Sequence, residues 1–551
     1  MAMDYSQSPR VWTFVSFLCL SVLVSLTARH YYDIWKRKKL LEVLPQAEVK
    51  NNDWKAALFQ ASSENPKNPF VIHTGARPRV ILPNHVMDDV RRLPENQLSP
   101  RKDLFDKMHG RWTEIGADHV VGIKAIQKEL TSNVALLLPD LQDEAKYAID
   151  QHFGSALDWT PIALFPHLLQ VSALTNSRFF VGPLARSQEW RDLSMAYALD
   201  IHESVRTIET WPRLVRPLIV PFLKPLRKLA SHKVRADYML RPHIAAALDI
   251  RNGEQVDKKT EGSGLNLMTW MLNYVDTRRK IDTGYLAREQ LFIGSGSIHS
   301  TALTITNILY DLASHPEYVP ELRAEIEDTL ASEPGSIMRK NSLPKLRKLD
   351  SLLLESQRMN PVALTSIHRR VTAQNGIRLS TGHTLPYDTA IGFLHALAPW
   401  SSPPADLLAS NAEQPPLTTF YPFRYSELRS RQGEEGYHQF TQTGRDNINF
   451  GHGPGSCPGR WFASAELKVI MIELLRRYDF ALGPHGEGEG VSTSNEEHSY
   501  SRPKPVILPG SLQIMPDFKA AIYLKERRED DRGKGLEKIE EQTHEFASQN
   551  S

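Results

Sequence analysis

A glycine-rich loop around Cys457 constrains this chain more than any other feature. From Phe450 to Arg460 it reads Phe-Gly-His-Gly-Pro-Gly-Ser-Cys-Pro-Gly-Arg and leads into a helix-forming segment. Its four glycines let the backbone adopt positive φ and approach a bound group closely, and Pro458 suits the first turn of a helix. A cysteine where a helix begins has its thiolate stabilised by free N–H groups and the helix dipole. The loop predicts a thiolate metal ligand; a buried structural cysteine or a Cys–His nucleophile is the alternative.

The cysteine count and the charge balance exclude several other classes of protein. Of 551 residues only two are cysteines, Cys19 and Cys457, so neither a disulfide framework nor a multi-cysteine zinc site organises this chain. The 66 basic and 64 acidic residues give a net charge of +2, which offers no overall attraction for nucleic acid. We therefore expect no nucleic-acid partner.

An uncharged apolar run near the N-terminus predicts a membrane anchor. Val11–Ala28 is close to the length that crosses a bilayer, and the basic cluster that ends at Lys39 follows it. A cleaved signal peptide is the alternative, but no small-residue cleavage site follows the run. We expect residues 1–10 to be lumenal, 11–28 to span the membrane, and 29–65 to form a basic juxtamembrane segment and linker on the cytosolic side.

The rest of the chain predicts one large, mainly helical domain over residues 66–524 and a charged, disordered tail over 525–551. Helical periodicity is strongest over four segments: Leu130–His152, Gly284–Ser314, Lys345–Met359 and Trp461–Tyr478. Strand signals are few: Arg79–Leu82, Gly376–Leu379 and His383–Ile391, the last two spaced as in a hairpin. The predicted fold class is mainly α with a small β subdomain.

The cysteine loop resembles the signature of the cytochrome P450 family, Phe-x-x-Gly-x-Arg-x-Cys-x-Gly. Phe450, Gly453, Cys457 and Gly459 match it in register. The resemblance implies that Cys457 is the axial ligand of a haem iron and that the other three residues shape the haem site. The family usually has an arginine or histidine that binds a haem propionate where this chain has Gly455.

A second match involves Glu355, Arg358 and Arg424. Glu355 and Arg358 share one face of a helix that Pro361 ends, and the family has Glu-x-x-Arg on this helix. Arg424, in Phe-Tyr-Pro-Phe-Arg-Tyr, resembles the arginine that the family brings to this pair from a later loop. The implied role is structural, because two arginines that share one carboxylate form a charge-assisted network in the core.

A third match lies in the segment Gly296-Ser-Ile-His-Ser-Thr301. Together with Gly294, its glycine and hydroxyl residues weaken a long helix and permit a kink. The family pattern here is Ala/Gly-Gly-x-Asp/Glu-Thr-Thr, which places His299 at the acid, Ser300 at the first threonine and Thr301 at the second. We predict these three as catalytic residues for proton delivery during oxygen activation. The alternative for His299 is that it faces away from the site.

Two further segments are predicted by resemblance. Among the residues that follow the Glu-x-x-Arg helix, Arg370 is the expected propionate ligand, with Arg369 as the alternative. Trp211–Pro225 mixes prolines, apolar residues and cations, and it resembles the family's connection above the active site. It is expected either to dip into the membrane interface or to form a buried loop.

The resemblance as a whole implies the cytochrome P450 fold with haem b and monooxygenation of an apolar small molecule. It further implies electrons from NADPH through a separate NADPH–cytochrome P450 reductase, with cytochrome b5 as a possible second donor, and a site on the cytosolic face of the endoplasmic reticulum membrane. The pattern is most similar to fungal microsomal members, which commonly act on terpenoid, polyketide or alkaloid secondary metabolites. Because the acid of the oxygen-activating helix is replaced, a haem-thiolate isomerase or dehydratase and a non-enzymatic haem-binding protein stay open as alternatives.

Overall fold

A computed structural model describes residues 41–74, 77–117, 119–251, 265–275, 281–395, 413–484, 501–508 and 512–528, with residue 398 and scattered positions from 17 to 39. Within this described part of the chain, no helix is both long and apolar enough to cross a membrane. The expected anchor, Val11–Ala28, lies mostly outside the described residues, as do residues 1–10 and 529–551 of the chain ends.

Helices make up most of the described fold. In chain order they are α1 Trp54–Glu64, α2 Met87–Arg92, α3 Pro100–Lys107, α4 Gly110–Thr113, α5 Val120–Ala125, α6 Thr131–His152, α7 Leu164–Phe180, α8 Gln188–Glu209, α9 Arg216–Ile219, α10 Lys224–Arg251, α11 Leu267–Met271, α12 Thr283–Ser314, α13 Val319–Ala331, α14 Arg347–Met359, α15 Arg424–Leu428 and α16 Arg460–Arg477. A π-helical turn, Ile126–Leu130, joins α5 to α6.

The strands are short and form a minor part of the fold. They are β1 Gln46–Ala47, β2 Phe70–Thr74, β3 Arg77–Leu82, β4 Leu98–Ser99, β5 Thr160–Ala163, β6 Thr365–Val371, β7 Ile377–Arg378, β8 Thr384–Leu385, β9 Ala390–Leu394, β10 Tyr478–Ala481, β11 Val506–Ile507, β12 Ile514–Met515 and β13 Ala521–Glu526. The largest sheet has the order β1-β2-β3-β9-β6-β4, and smaller sheets are β10-β13-β5, β11-β12 and β7-β8.

Helix α12 forms the centre of the helical core. The side chain of Asp282 caps it by accepting a hydrogen bond from the Tyr285 N–H at 2.9 Å, and Pro316 follows its end at Ser314. Every residue from Thr301 to Ser314 is buried, because α7, α8, α10 and α14 pack around the helix. A helix segment that is buried on all sides lies in the core of a large domain, and α12 also carries the three residues predicted as catalytic.

The predicted fold class, mainly α with a small β portion, is confirmed. The four predicted helices begin and end within two residues of the observed bounds, and the hairpin pairs Ile377 with Leu385. The predicted strand His383–Ile391 is wrong in one respect, since it divides into β8 and β9. Only β8 belongs to the hairpin, and β9 pairs with β3 and β6 in the large sheet.

Candidate active site

The Cys457 sulfur lies just before the N-terminus of α16, within reach of the backbone N–H groups of Gly459 and Arg460. The Cys457 N–H donates to the Phe450 carbonyl at 2.7 Å, which closes the loop, and α16 begins three residues later at Arg460. Burial raises the pKa of the Cys457 thiol, while the N–H groups of Gly459 and Arg460 and the charge of Arg460 act in the opposite direction. The thiolate therefore has hydrogen-bond donors but needs further positive charge, which suits it to a metal ion.

The other signature residues hold the loop in shape. Phe450 packs edge-on against the buried Phe440, with ring centroids 5.2 Å apart. Gly453 has φ +73°, and a Cβ there would lie 2.4 Å from Cγ of Arg91. Only glycine satisfies both restrictions. Pro458, expected in the first helical turn, instead lies in the turn before α16.

Arg369 occupies the space beside Gly455. A Cβ on Gly455 would lie 2.7 Å from Nη1 of Arg369, so the guanidinium fills the volume that a side chain at 455 would use. Nη2 of Arg369 also donates to the His452 carbonyl at 3.4 Å. Burial lowers the pKa of Arg369, and among the described residues no carboxylate forms an ion pair with it. A buried guanidinium beside the cysteine loop is a suitable partner for an anionic group.

Arg370, the expected propionate ligand, faces away from the loop. It lies 3.4 Å from carboxylate oxygens of both Asp103 and Asp106 and 3.6 Å from Asp388. Side chains alternate along a strand, so consecutive arginines face opposite ways, and the register of β6 against β9 shifts between Ser366 and Arg369. The structure therefore brings the alternative, Arg369, to the cysteine loop in place of Arg370.

Glu355, Arg358 and Arg424 form the predicted network. Both carboxylate oxygens of Glu355 accept hydrogen bonds from Arg358, each at 2.7 Å, and Nε of Arg424 lies 3.3 Å from each of them. The Tyr421 N–H donates to the same carboxylate at 2.9 Å. Glu355 and Arg424 are fully buried, and the remaining N–H groups of Arg424 donate to the carbonyls of Pro415, Pro416 and Thr419. All members are thus satisfied, as a buried ion network requires.

The three residues predicted as catalytic on α12 point in different directions. His299 lines a cavity, and neither of its ring nitrogens has a hydrogen-bond partner among the described residues. The Ser300 hydroxyl donates to carbonyls of its own helix, at 2.8 Å to Gly296 and 3.1 Å to Ser297. Thr301 is buried and donates to Glu466 at 3.2 Å. The structure therefore does not gather the three at one point, and α12 runs through its glycines as a continuous helix.

His299 is a neutral imidazole at physiological pH. Burial and then the neighbouring His202 lower the pKa of His299 to about 4. At neutral pH the ring therefore carries one N–H donor and one acceptor nitrogen. It can position a polar group in the cavity but is a poor proton donor there.

A cavity of about 1070 Å³ extends from His299 toward the surface. It lies between the end of α3, helix α8, the segment after α8, strands β3 and β6, and the C-terminal strands. Its volume is at the upper end for pockets that enclose a small molecule. The cavity is therefore the candidate substrate pocket.

Glu466 is a buried carboxyl that the sequence patterns did not single out. It accepts hydrogen bonds from Thr175 at 2.5 Å, Asn176 at 2.7 Å and Thr301 at 3.2 Å, which ties α16 to α7 and α12. Burial raises the pKa of Glu466 to about 8, although the hydrogen bonds from Thr175 and Thr301 oppose this. The sequence offers no signal that singles it out, because the same helix also carries Lys468 and Glu473.

Replacing Glu466 by glutamine is expected to remove a pH-dependent loss of stability. The pKa of Glu466 is higher in the folded than in the unfolded protein. Its contribution to the free energy of unfolding is therefore fully present below pH 4.5 and is lost as the pH rises toward 8. Wild type should therefore lose up to ~4 kcal/mol relative to Glu466→Gln across that range. Melting temperatures between pH 4 and pH 9 measure the difference. The exposed Glu64→Gln is the control, and parallel curves for Glu466→Gln and wild type would contradict the prediction.

Comparison with known proteins agrees with this geometry. The cytochrome P450 family model matches residues 197–508. The chain is 32% identical to the cytochrome P450 monooxygenase ascG of Acremonium egyptiacum over 88% of this chain and 91% of that protein. It is also 32% identical to the cytochrome P450 monooxygenase gliF of Aspergillus fumigatus, over 89% and 93%. With the cysteine loop and the Glu355 network in place, these matches show that the chain belongs to the cytochrome P450 family of monooxygenases.

Proposed function

We propose that this protein oxidises an apolar secondary metabolite, of terpenoid, polyketide or alkaloid type, with electrons from NADPH. A separate NADPH–cytochrome P450 reductase would supply these electrons, with cytochrome b5 as a second donor. The observation that carries the proposal is the half-buried Cys457 sulfur beside the N–H groups of Gly459 and Arg460. The similarity of the protein to fungal monooxygenases along most of the chain supports the choice of substrate class.

The residues present fit haem b. Cys457 would bind the iron, Phe450 and Gly453 would hold the cysteine loop in shape, and Arg369 would hold a propionate in the absence of an arginine at 455. Haem iron with a thiolate ligand supplies the activation of dioxygen, because the thiolate donates electron density that favours O–O cleavage.

The chain's own residues bind and orient the substrate. The neutral His299 ring offers the cavity a donor and an acceptor without an internal partner among the described residues. Ser300 and Gly296 lie one turn apart on the accessible face of the same helix. His299 would position a polar group or a water, and Ser300 would supply a hydroxyl on that face. Thr301 is the least suited of the three to act in the cavity, because its hydroxyl already donates to Glu466.

We propose that the protein is anchored in the endoplasmic reticulum membrane by Val11–Ala28, with its catalytic domain in the cytosol. An apolar patch around α9 supports contact with lipid: Leu214, Leu218 and Phe222 are 82%, 74% and 75% exposed. Cations and prolines accompany these side chains in the segment Trp211–Pro225, a composition suited to an interface. The exposure of this patch disfavours the buried-loop alternative and suggests a lipid-side entrance for an apolar substrate.

Reconstitution with purified reductase tests the electron supply without knowledge of the substrate. Under anaerobic carbon monoxide, NADPH should produce the carbonyl band of a reduced haem-thiolate protein only when reductase is present. With a substrate in hand, one atom of ¹⁸O₂ should enter the product. A haem-thiolate isomerase or dehydratase would instead turn over substrate without NADPH, and this outcome would replace the proposal.

A further inference from the structure

Lys107 is an uncompensated cation on the wall of the substrate cavity. It is the last residue of α3, its side chain lines the cavity, and among the described residues it forms no ion pair or hydrogen bond. Neighbouring cations on the same wall are compensated: Arg79 lies 3.0 Å from Asp103, and Arg370 contacts three aspartates. Lys107 is therefore distinct from the structural cations around it.

Three of the four carboxylates that line the cavity have a cationic side chain as partner. Asp106 pairs with Lys102 at 2.6 Å, Asp200 with His232 at 2.8 Å, and Glu203 with Arg206 at 2.6 Å. Glu209 lies 3.7 Å from His109. Asp103 and Glu209 raise the pKa of Lys107, but neither reaches it at ion-pair distance. The protein thus leaves the Lys107 ammonium for another partner.

The surroundings of Lys107 concentrate positive charge. Burial lowers the pKa of Lys107, and the Arg79 guanidinium lowers it further. Burial also lowers the pKa of both His202 and His368, and Lys107 contributes to each shift. A desolvated ammonium with no counter-ion is unfavourable in the free protein, and a bound anion would relieve that cost.

Most of the surface of the cavity is apolar, although charged and polar side chains also line it. Aromatic and aliphatic side chains from several elements line it: Phe105, Met108, Trp112, Phe165, Leu169 and Phe518. We propose that Lys107 binds the carboxylate of an otherwise apolar substrate, so that the protein acts on apolar carboxylic acids. A single ammonium is one point charge and matches the single negative charge of a carboxylate, whereas a phosphate group carries a charge of roughly −2. This inference rests on the proposed function and narrows its substrate class.

Matched acids and esters test the proposal on the haem-loaded, full-length protein. Dodecanoic, hexadecanoic and abietic acids are titrated beside their methyl esters, and binding is read from the shift of the ferric Soret band. Wild type should bind the acids ~10- to 100-fold more tightly than the esters. Lys107→Met should abolish that preference, and Lys340→Met, which removes an exposed lysine outside the cavity, should keep it.

The ligand-free protein gives a second measurement. Because Lys107 is desolvated without a counter-ion, Lys107→Met should melt at a higher temperature than wild type, and acids should raise the melting temperature of wild type only. Any of three results overturns the proposal. These are equal binding of acids and esters by wild type, an acid preference that survives in Lys107→Met, and a lower melting temperature of Lys107→Met without any response to acids. Failure of the proposed function is separate, since it would remove the reductase-dependent carbonyl band in wild type and Lys107→Met alike.

Discussion

Cys457→Ser is expected to lose the red-shifted Soret band of the reduced, carbon monoxide-bound protein and to lower monooxygenase turnover by at least ~10³-fold. Serine has nearly the same size and keeps the backbone hydrogen bond to Phe450. Its hydroxyl, however, does not ionise near neutral pH and cannot supply the electron density of a thiolate. The difference spectrum of membranes that contain the expressed protein measures the effect directly.

The second cysteine of the chain provides the matched control. Cys19→Ser removes the other thiol, within the apolar N-terminal run, and should leave both the spectrum and turnover unchanged. A thiolate-type band that survives in Cys457→Ser would contradict the assignment of the axial ligand. Absence of any haem band in folded wild type would contradict the cofactor itself.

Glu355→Gln should have the largest effect on stability. The substitution keeps the side-chain shape but leaves Arg358 and Arg424 buried without a carboxylate, and breaking a buried ion network in this way costs ~3–5 kcal/mol. That is a large part of the total stability of a typical domain. We expect little folded, haem-loaded protein, and the yield of the carbonyl band together with the melting temperature measures the loss.

A surface pair with the same spacing is the control for this prediction. Glu203 and Arg206 are also three apart on a helix, but their side chains are 49% and 77% exposed. Glu203→Gln should therefore cost less than ~1 kcal/mol. If Glu355→Gln were as mild as Glu203→Gln, the buried network would not have the structural role that its geometry indicates.

What the sequence predicted well depends on local patterns. The helix ahead of Pro361 ends with Asn360 as its cap, and the Glu355–Arg358 spacing places both residues on one face. Cys457 was recognisable because the flanking glycines and the following helix are continuous in sequence. Such features need only a few neighbouring residues, so periodicity and turn chemistry reveal them.

What the sequence could not predict depends on contacts between distant segments. Glu466 has the sequence context of an ordinary helical charge, and only its packing against Thr175 and Thr301 makes it a buried acid. The choice between Arg369 and Arg370 depended on a shift in strand register, which a single residue can reverse. The sequence alone reveals neither the burial of Glu466 nor which of the two arginines reaches the cysteine loop.

The contact between Arg369 and Gly455 also has a consequence for how this site can change over evolutionary time. An arginine introduced at 455 to restore the family consensus would have its Cβ 2.7 Å from Nη1 of Arg369. The two positions are therefore coupled: the Arg369 guanidinium, which is the far end of a flexible side chain, must shift to make room for a side chain at 455. A consensus substitution at 455 therefore also acts on Arg369, and its effect on haem binding is interpretable only beside the same substitution combined with a change at 369.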